Sequence, residues 1–311
     1  MTAKNYLTYL HLLTPLHTGG SADEGNLMGI AREVHTEFPY LPSSSLRGKI
    51  RAELEQGETK DAAGHFFGQK IKDGNQPTEG EVWFADATLL LFPIASLSHH
   101  IVWITCPLWL DRWSRWLGDD TKDLQALIRK CSDQFTNSES NKSVVTSFPT
   151  KKLYLQTALL DETDIFYETD WQALQTKLES ITENSGLLGN LFNKLIVLTD
   201  EDCAALVELG LQREVRVALE EESKTVKGGS FRSEEAIPPE AIMFFPWGTK
   251  VPRPLPVDLK EPDEEKRKKA ASEAQEKVKQ DETIRQTLHQ KLNDRLQFGG
   301  LEGREIGRAH V

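Results

Sequence analysis

The sequence predicts an α+β domain, in which strands and helices do not alternate regularly. Residues 5–13 alternate in polarity and contain β-favouring types, so they predict a first strand. Apolar, β-rich runs follow at residues 81–92 and 100–105, and residues 121–131 and 169–181 have helical character. A helix after the first strand and long insertions between the other elements favour α+β over a βαβ repeat.

Composition indicates a folded protein without a membrane segment. The chain has 311 residues, 38% of them hydrophobic, which is sufficient for one large domain or two small ones. No apolar stretch approaches the roughly 20 residues that span a bilayer, and the N-terminus lacks the pattern of a signal peptide. The cysteines Cys106, Cys131 and Cys203 are odd in number and far apart. We therefore expect reduced thiols in a cytoplasmic protein, with neither a disulfide framework nor a zinc site.

The charge of the chain restricts how it can bind nucleic acid. The formal net charge is −11, whereas nucleic-acid-binding proteins usually carry a basic surface. Any RNA site must therefore be a local patch on an acidic body.

The first loop, residues 14–41, is rich in Gly, Pro and polar residues and leads into a predicted helix. A loop of this length is usually functional or disordered. Leu46, Ile50 and Leu54 have helical spacing, and the preceding serines predict an N-cap. Gly48 inside this helix costs about 1 kcal/mol relative to alanine, which is intelligible if a ligand approaches the backbone closely.

The start of this helix is a candidate phosphate site. The free N–H groups of a helix N-terminus can hold an anion, and cations within two turns add charge around it. The candidate residues are Ser43, Ser44, Ser45, Arg47, Lys49 and Arg51. The alternative is a surface helix with three solvated cations.

The second half of the chain contains two long charged segments. Residues 195–198 predict a short strand, and Thr199 begins a capped helix. Apolar runs at 215–219 and 241–245 flank a charged, glycine-containing segment, which suggests a hairpin-like arm. Residues 260–290 are almost purely polar and predict either a solvated helix or a partly disordered insertion.

Several motifs follow one another in a characteristic order. They are H-T-G (17–19), R-E (32–33), P-Y-L-P-S-S-S-L-R-G-K-I-R (39–51), H-F-F-G (65–68), G-E-V-W-F-A-D-A (80–87), L-T-D-E-D (198–202), E-S-K-T-V-K-G-G (222–229), E-E-A-I-P-P-E (234–240) and Q-F-G-G (297–300). In this order they resemble the RAMP-superfamily backbone subunits of type III CRISPR effector complexes, and the arm is similar to that of the Cmr-type (III-B) subunit. The resemblance spans the chain except residues 110–170 and the charged insertion.

The resemblance implies one RAMP domain over residues 1–311 with a ferredoxin-like, RRM-type core. It implies a palm that binds the phosphates of a guide RNA, a thumb hairpin at about 213–240 and a charged helical insertion at about 257–292. The thumb would displace nucleotides of the guide–target duplex. The expected partners are CRISPR guide RNA and target RNA, copies of the chain arranged head to tail, and other effector subunits of an antiviral ribonucleoprotein.

Further RNA contacts are expected in the thumb and near the C-terminus. The thumb candidates are Lys224, Lys227, Phe231 and Arg232. Phe231 could stack on a base, or it could be a loose hydrophobic anchor. Arg304 and Arg308 lie in a glycine-rich segment that could approach an RNA backbone closely, or that could form plain turns. His17 is a candidate RNA contact or acid–base group, with a structural hydrogen bond as the alternative.

Whether the chain cleaves RNA depends on the first loop. In the family, a loop aspartate in the context G-x-V-D-x-P-I-x-R-E cleaves target RNA. This chain has Leu27 at that position, or Asn26 after a one-residue shift, and asparagine cannot act as a base at neutral pH. Asp23, with Glu24 beside it, is therefore the candidate catalytic carboxylate. Asp23 could position a 2′-hydroxyl or hold Mg²⁺, the cofactor expected if the chain cleaves RNA. Alternatively, Asp23 and Glu24 could be solvated loop charges.

Two hypotheses of function follow. The first is a sequence-independent RNA-binding scaffold that polymerises along a guide RNA, with or without cleavage. The second is a metal-dependent endoribonuclease that acts alone, like the guide-processing relatives of the same superfamily. Those relatives depend on a histidine-centred site, and the lack of a paired His/Tyr/Lys set in this sequence favours the first hypothesis.

Overall fold

The computed structural model describes residues 5–20, 23–24, 27–56, 60–69, 78–118, 120–136, 142–156, 158–179, 185–217, 225–226, 231–250, 264–293, 295–299 and 308–310. The helices in these ranges are α1 (Ser43–Glu55), α2 (Lys60–Phe67), α3 (Pro107–Ser114), α4 (Lys122–Thr136), α5 (Gln172–Glu179), α6 (Ser185–Phe192), α7 (Asp200–Gly210) and α8 (Glu264–Leu292). The strands are β1 (Asn5–Leu12), β2 (Asp23–Glu24), β3 (Leu27–Met28), β4 (Val82–Phe84), β5 (Thr88–Ser96), β6 (His100–Thr105), β7 (Val144–Thr146), β8 (Lys152–Leu155), β9 (Ala158–Asp161), β10 (Ile165–Tyr167), β11 (Leu195–Leu198), β12 (Gln212–Arg216), β13 (Arg232–Ala236), β14 (Ile242–Thr249), β15 (Arg295–Gln297) and β16 (Arg308–His310).

One large mixed sheet organises the chain. Its strand order is β10-β7-β11-β6-β5-β14-β1-β16-β15, and β4 pairs with β14 beside this path. β14 is antiparallel to both β1 and β5, whereas β11 is parallel to β6 and antiparallel to β7. The protein therefore has a mixed α/β architecture with a large sheet, as the α+β prediction required.

Helices cover both faces of this sheet. Every residue of β14 is buried. Met243 and Phe245 belong to one hydrophobic cluster, while Ile242 and Phe244 belong to another. Because successive side chains of a strand point to opposite faces, the two clusters lie on opposite faces of the sheet. Helices α1, α2, α7 and α8 contribute to the first cluster, α4, α5 and α6 to the second, and α3 to both.

Among the described side chains of helix α8, those that belong to the core lie at its C-terminal end. Ile284, Leu288 and Leu292 repeat every four residues, are at most 2% exposed, and belong to the first cluster. The described side chains nearer the start of the helix, such as Lys269 and Lys279, are exposed. The predicted polar helix is thus present, but its end is buried and is not a pure surface element. Among the described residues no helix has the length and apolarity needed to traverse a bilayer.

Local signals in the sequence predicted several elements closely. The first strand ends one residue earlier than predicted, at Leu12. Thr199 caps α7 as expected, since its hydroxyl accepts a hydrogen bond from the Asp202 N–H at 3.1 Å. The apolar run 241–245, which was predicted to flank the arm, follows it directly, and residues 242–245 of this run belong to the central strand β14.

Candidate nucleic-acid interface

The arm and the first loop share a second sheet, with the order β12-β13-β3-β2. We call residues 213–240 the arm. β12 near its start and β13 near its end pair as antiparallel strands, as in a hairpin. β3 is parallel to β13 and pairs with it at Ser233↔Leu27 and Glu234↔Met28. β2 pairs with β3, so the backbone of Asp23 and Glu24 lies at the edge of the sheet that carries the arm. Their side chains, including that of the catalytic candidate Asp23, lie outside the described part of the structure.

A buried carboxylate lies where the arm meets the loop. The Glu235 side chain is only 3% exposed, and its Oε2 accepts a hydrogen bond from Arg32 at 2.8 Å. Its Oε1 lies 3.4 Å from Arg213, and Glu208 of α7 pairs with both arginines, at 2.7 Å from Arg32 and 3.1 Å from Arg213. Burial lowers the pKa of Arg32, but the hydrogen bond and charge of Glu235, with those of Glu208, outweigh it and raise the pKa. Two arginines and two glutamates thus form a neutral network.

His17 is part of the same junction. Its side chain is buried, and Nδ1 donates a hydrogen bond to the carbonyl oxygen of Glu235 at 2.7 Å. The neighbouring Leu16 forms a β-bridge with Ile237, and the Thr18 hydroxyl accepts from the Ala31 N–H at 2.9 Å. The contact is the structural hydrogen bond that the sequence allowed for, and it holds the first loop against the arm.

A cavity of about 520 Å³ adjoins this network. Its lining residues come from the first loop, from α7 and from the arm: Leu27, Gly29, Ile30, Arg32, Thr36, Glu37, Phe38, Ala204, Val207, Glu208, Arg213 and Glu235. The cavity thus combines apolar side chains with paired charges, and its lining includes Leu27, one of the two positions, with Asn26, at which the family's aspartate was expected.

The start of α1 already holds an anionic group. Its N-cap is Pro42, and no side chain caps it, so the predicted serine N-cap is wrong. The serines at 43–45 instead form the first turn, because the extended backbone of proline ends the preceding segment. The Ser43 N–H donates to the carboxylate of Asp86 at 2.6 Å. A phosphate at this helix start would therefore have to displace or approach Asp86.

The cations of α1 are bonded within the chain. Arg47 donates to the carbonyl oxygens of Val82 at 2.8 Å and Phe67 at 2.7 Å. Burial, followed by the charge of Arg51, lowers the pKa of Arg47. Lys49 pairs with Glu53 and Arg51 pairs with Glu55, both at 2.9 Å and both one helical turn apart. The alternative interpretation, a surface helix with three solvated cations, is therefore wrong, because all three side chains have partners within the chain.

A cavity of about 460 Å³ beside α1 does collect part of the predicted phosphate site. Its lining includes Ser43, Ser44 and Arg47, together with Trp83 and Lys250. Neither Trp83 nor Lys250 was identified from the sequence as a site residue. Both residues are distant from α1 along the chain, so only the folded structure shows that they lie beside it.

The arm presents exposed apolar and basic side chains. Phe231 is 50% exposed and Arg232 is exposed at the start of β13. Val215, Val217 and Val226 are also exposed, and none of the three was predicted from the sequence to be a contact residue. Three candidates, Lys224, Lys227 and Arg304, lie outside the described residues. Arg308 opens β16, and its side chain also lies outside them.

No metal site is formed by the described side chains. In the described ranges, no group of three or more His, Cys, Asp or Glu residues is placed to hold a metal ion. The side chains of Asp23 and Glu24 are not among those searched.

The sequence that forms this fold matches one protein family over nearly the whole chain. The model of the RAMP superfamily matches residues 9–305, so the chain belongs to the RAMP superfamily. It is similar to the CRISPR system Cmr endoribonuclease Cmr4 of Pyrococcus furiosus, with 28% identity over 251 residues that cover 78% of this chain and 80% of that protein. The resemblance inferred from the motif order is thereby confirmed.

Solved structures share the fold. A chain of the type III-B Cmr-beta complex bound to cognate target RNA has a TM-score of 0.68 at 19% identity, covering 99% of this chain and 96% of that one. Oligomeric Cmr4 from Pyrococcus furiosus has a TM-score of 0.60 at 21% identity, covering 99% and 97%. At this level of identity the likeness is one of fold.

Proposed function

We propose that this protein is the backbone subunit of a type III-B CRISPR ribonucleoprotein, which binds guide RNA, lines up with further copies along it and serves antiviral defence. The observation that carries the proposal is the family match over residues 9–305, together with 28% identity to Cmr4 over most of both chains. One of the similar structures is a complex bound to cognate target RNA, and another is an oligomer of Cmr4. These support target RNA, other Cmr subunits and copies of the same chain as partners. The buried, free thiols at Cys106, Cys131 and Cys203 agree with a cytoplasmic location.

The chain is proposed to form one RAMP domain over residues 1–311, with the arm as thumb and the segment 257–292 as an insertion. The succession β1, α1, β5, β6, α7, β14 follows the β-α-β-β-α-β order of a ferredoxin-like core. Its pairs are β1 with β14 and β5 with β6. β14 pairs with β5 and so joins the two pairs, which gives the order β6-β5-β14-β1. We therefore propose that the strand order of the core is a rearrangement of the order in the ferredoxin-like motif.

The thumb is proposed to unstack nucleotides of the guide–target duplex. Its exposed Phe231 offers a ring on which a base can stack, and Arg232 offers a charge for the adjacent phosphate. Lys224, Lys227, Arg304 and Arg308 are proposed as further phosphate contacts, and Ser43, Ser44, Ser45, Lys49 and Arg51 as the contacts of the palm. For His17 and Arg47, the hydrogen bonds within the chain favour a structural role over the predicted RNA contact.

RNA binding is tested with unrelated RNA sequences at several salt concentrations. Binding through phosphates gives similar affinities for all sequences and a linear fall of log affinity with log salt. Arg232→Gln is expected to weaken binding to every sequence and to reduce the salt slope by about one unit. Lys151→Gln is the matched control, since Lys151 is an exposed cation of another part of the chain, paired with Glu162 at 3.0 Å. Strong preference for one sequence would contradict the proposal.

Target-RNA cleavage is the second candidate function. The relative Cmr4 is named an endoribonuclease, and the backbone of Asp23 lies in the sheet of the arm. Asp23 is proposed as the carboxylate that positions a 2′-hydroxyl or holds Mg²⁺. The test compares wild type, Asp23→Asn and Glu24→Gln in an assembled complex with labelled complementary RNA and Mg²⁺. Regular cuts lost only in Asp23→Asn support this site. Cuts that persist in both variants reject it, and no cuts in wild type indicate a scaffold.

A further inference from the structure

Among the described residues, short backbone contacts join β3 of the first loop to the arm. β3 and β13 pair there at Ser233↔Leu27 and Glu234↔Met28, and β2 adds two more pairs at the outer edge. A parallel contact of this length is weak by itself. The β-bridge of Leu16 with Ile237 fixes the end of the arm nearest the large sheet. At β3 the orientation of the arm relative to the loop depends on side-chain contacts as well.

The carboxylate of Glu235 makes a buried contact of this kind. Glu235 is in β13 of the arm, and Arg32 follows β3 in the first loop, 203 residues earlier. The same Arg32 guanidinium reaches Glu208 in α7 at 2.7 Å, so one side chain joins the loop, the arm and the body of the protein. Because the Glu235 side chain is 3% exposed, water cannot replace a lost partner without a rearrangement of the junction.

We propose that Arg32 is a positioning residue, which through Glu235 sets the orientation of the arm against the first loop and thereby controls how the arm displaces a nucleotide. The inference rests on the proposed function, in which the arm is the thumb. Arg32 acts here without touching RNA, since its guanidinium is engaged by two carboxylates and its side chain is 22% exposed.

A neighbouring ion pair provides a matched control. Arg112 of α3 donates to both oxygens of Glu33 at 2.7 and 2.9 Å, and these side chains are 28% and 20% exposed. This pair holds the same loop, from the residue next to Arg32, but it connects the loop to α3 and not to the arm. Arg112→Gln thus removes a comparable ion pair while leaving the arm junction intact.

The experiment places 2-aminopurine at successive positions of a guide RNA in the assembled complex, because this base fluoresces more brightly when unstacked. Wild type is expected to give periodic bright positions. Arg32→Gln and Glu235→Gln are expected to lose about threefold or more of that signal while the guide affinity changes by less than about twofold. Arg112→Gln is expected to keep both. Unchanged brightness in Arg32→Gln would overturn the inference, whereas an absence of bright positions in wild type would overturn the thumb function itself.

Loss of folding is separated from loss of positioning by a paired replacement. Arg32→Leu with Glu235→Leu removes both charges of this pair together, and such a replacement often leaves stability nearly unchanged. This double variant is expected to unfold at a urea concentration close to that of wild type and yet to lose the bright positions. In the free protein, amides of β3 and β13 are expected to exchange about tenfold faster in Arg32→Gln than in Arg112→Gln. Equal exchange in the two variants would also overturn the inference.

Discussion

Replacing Arg47 by methionine distinguishes an RNA contact from a structural side chain. By its position in the chain, Arg47 is a candidate phosphate contact near the start of α1. Its guanidinium, however, bonds the carbonyl oxygens of Val82 and Phe67 and lies 5.1 Å from the centre of the Phe67 ring. Methionine keeps most of the side-chain volume but donates no hydrogen bond, so the substitution removes both contacts without opening a large cavity.

The expected loss follows from those two bonds. A hydrogen bond from a charged donor contributes about 1.5–3 kcal/mol. Since Arg47 is half-buried and the carbonyl groups regain some water, we expect Arg47→Met to cost about 2–4 kcal/mol of unfolding free energy. The control is Lys49→Met on the same helix, which removes an ion pair with Glu53 one turn away, worth about 0.3–0.5 kcal/mol.

Urea unfolding and RNA binding are measured on both variants. With a slope of about 3 kcal/mol per molar urea, the midpoint should fall by about 1 M for Arg47→Met and by about 0.1–0.2 M for Lys49→Met. RNA affinity of folded Arg47→Met should stay within about twofold of wild type. An unchanged midpoint with a large loss of affinity and a smaller salt slope would refute the structural assignment and place a phosphate on Arg47.

Three further outcomes are expected. Gly48→Ala should raise the unfolding free energy by about 1 kcal/mol, because a Cβ there meets no atom within 4 Å; weaker RNA binding in this more stable variant, measured by filter binding, would show that RNA packs on the backbone. Asp86→Ala should cost about 1 kcal/mol, because the Ser43 N–H loses its acceptor, and should strengthen RNA binding if a phosphate approaches that helix start; unchanged affinity would exclude a phosphate there. Burial lowers the pKa of His289, so the imidazole binds a proton more readily in the unfolded chain than in the folded one. The free energy of unfolding therefore decreases as the pH falls below 6.5, the ordinary pKa of histidine. Urea midpoints at about pH 7.5 and 5.5 should therefore differ less for His289→Phe than for wild type, and equal differences would contradict this assignment.

The elements that the sequence predicted correctly are those with strong local signals. β1 alternates in polarity, and α7 begins at a threonine whose hydroxyl caps it. α8 was harder to predict, because only its last turns carry leucines and its long polar part masks them. The central position of β14 in the large sheet was not predicted, since an apolar run alone does not reveal that both of its faces are buried.

The candidate site was only partly predictable for a different reason. Motif order identified the family and brought His17, Arg32 and the arm into consideration. It did not show that Arg32 bonds Glu235, because the two residues are 203 positions apart and only the fold brings them together. Similarly, the serines and Arg47 had the composition of a phosphate site. The competing carboxylate of Asp86 and the carbonyl partners of Arg47 come from other elements.

The acidity of the chain leads to a last expectation, which concerns how affinity arises. Near the predicted site, Arg32, Arg112 and Lys250 all pair with carboxylates, and so do the cations of α1 other than Arg47. Around these described side chains, one copy therefore offers a phosphate backbone few uncompensated charges, and it should bind a short RNA weakly. Copies that also contact one another along the same RNA add their contacts at high effective concentration, so affinity should rise steeply with RNA length.

This length dependence is measurable with the full chain and unstructured RNAs that hold one, two or four copies. The midpoint of binding should shift to lower protein concentration at each step by more than the number of added sites explains, and the salt slope should grow with length. Midpoints that change only in proportion to the number of sites would show that the copies bind independently. In that case the contacts of a single copy, and not assembly, would have to offset the net charge of −11.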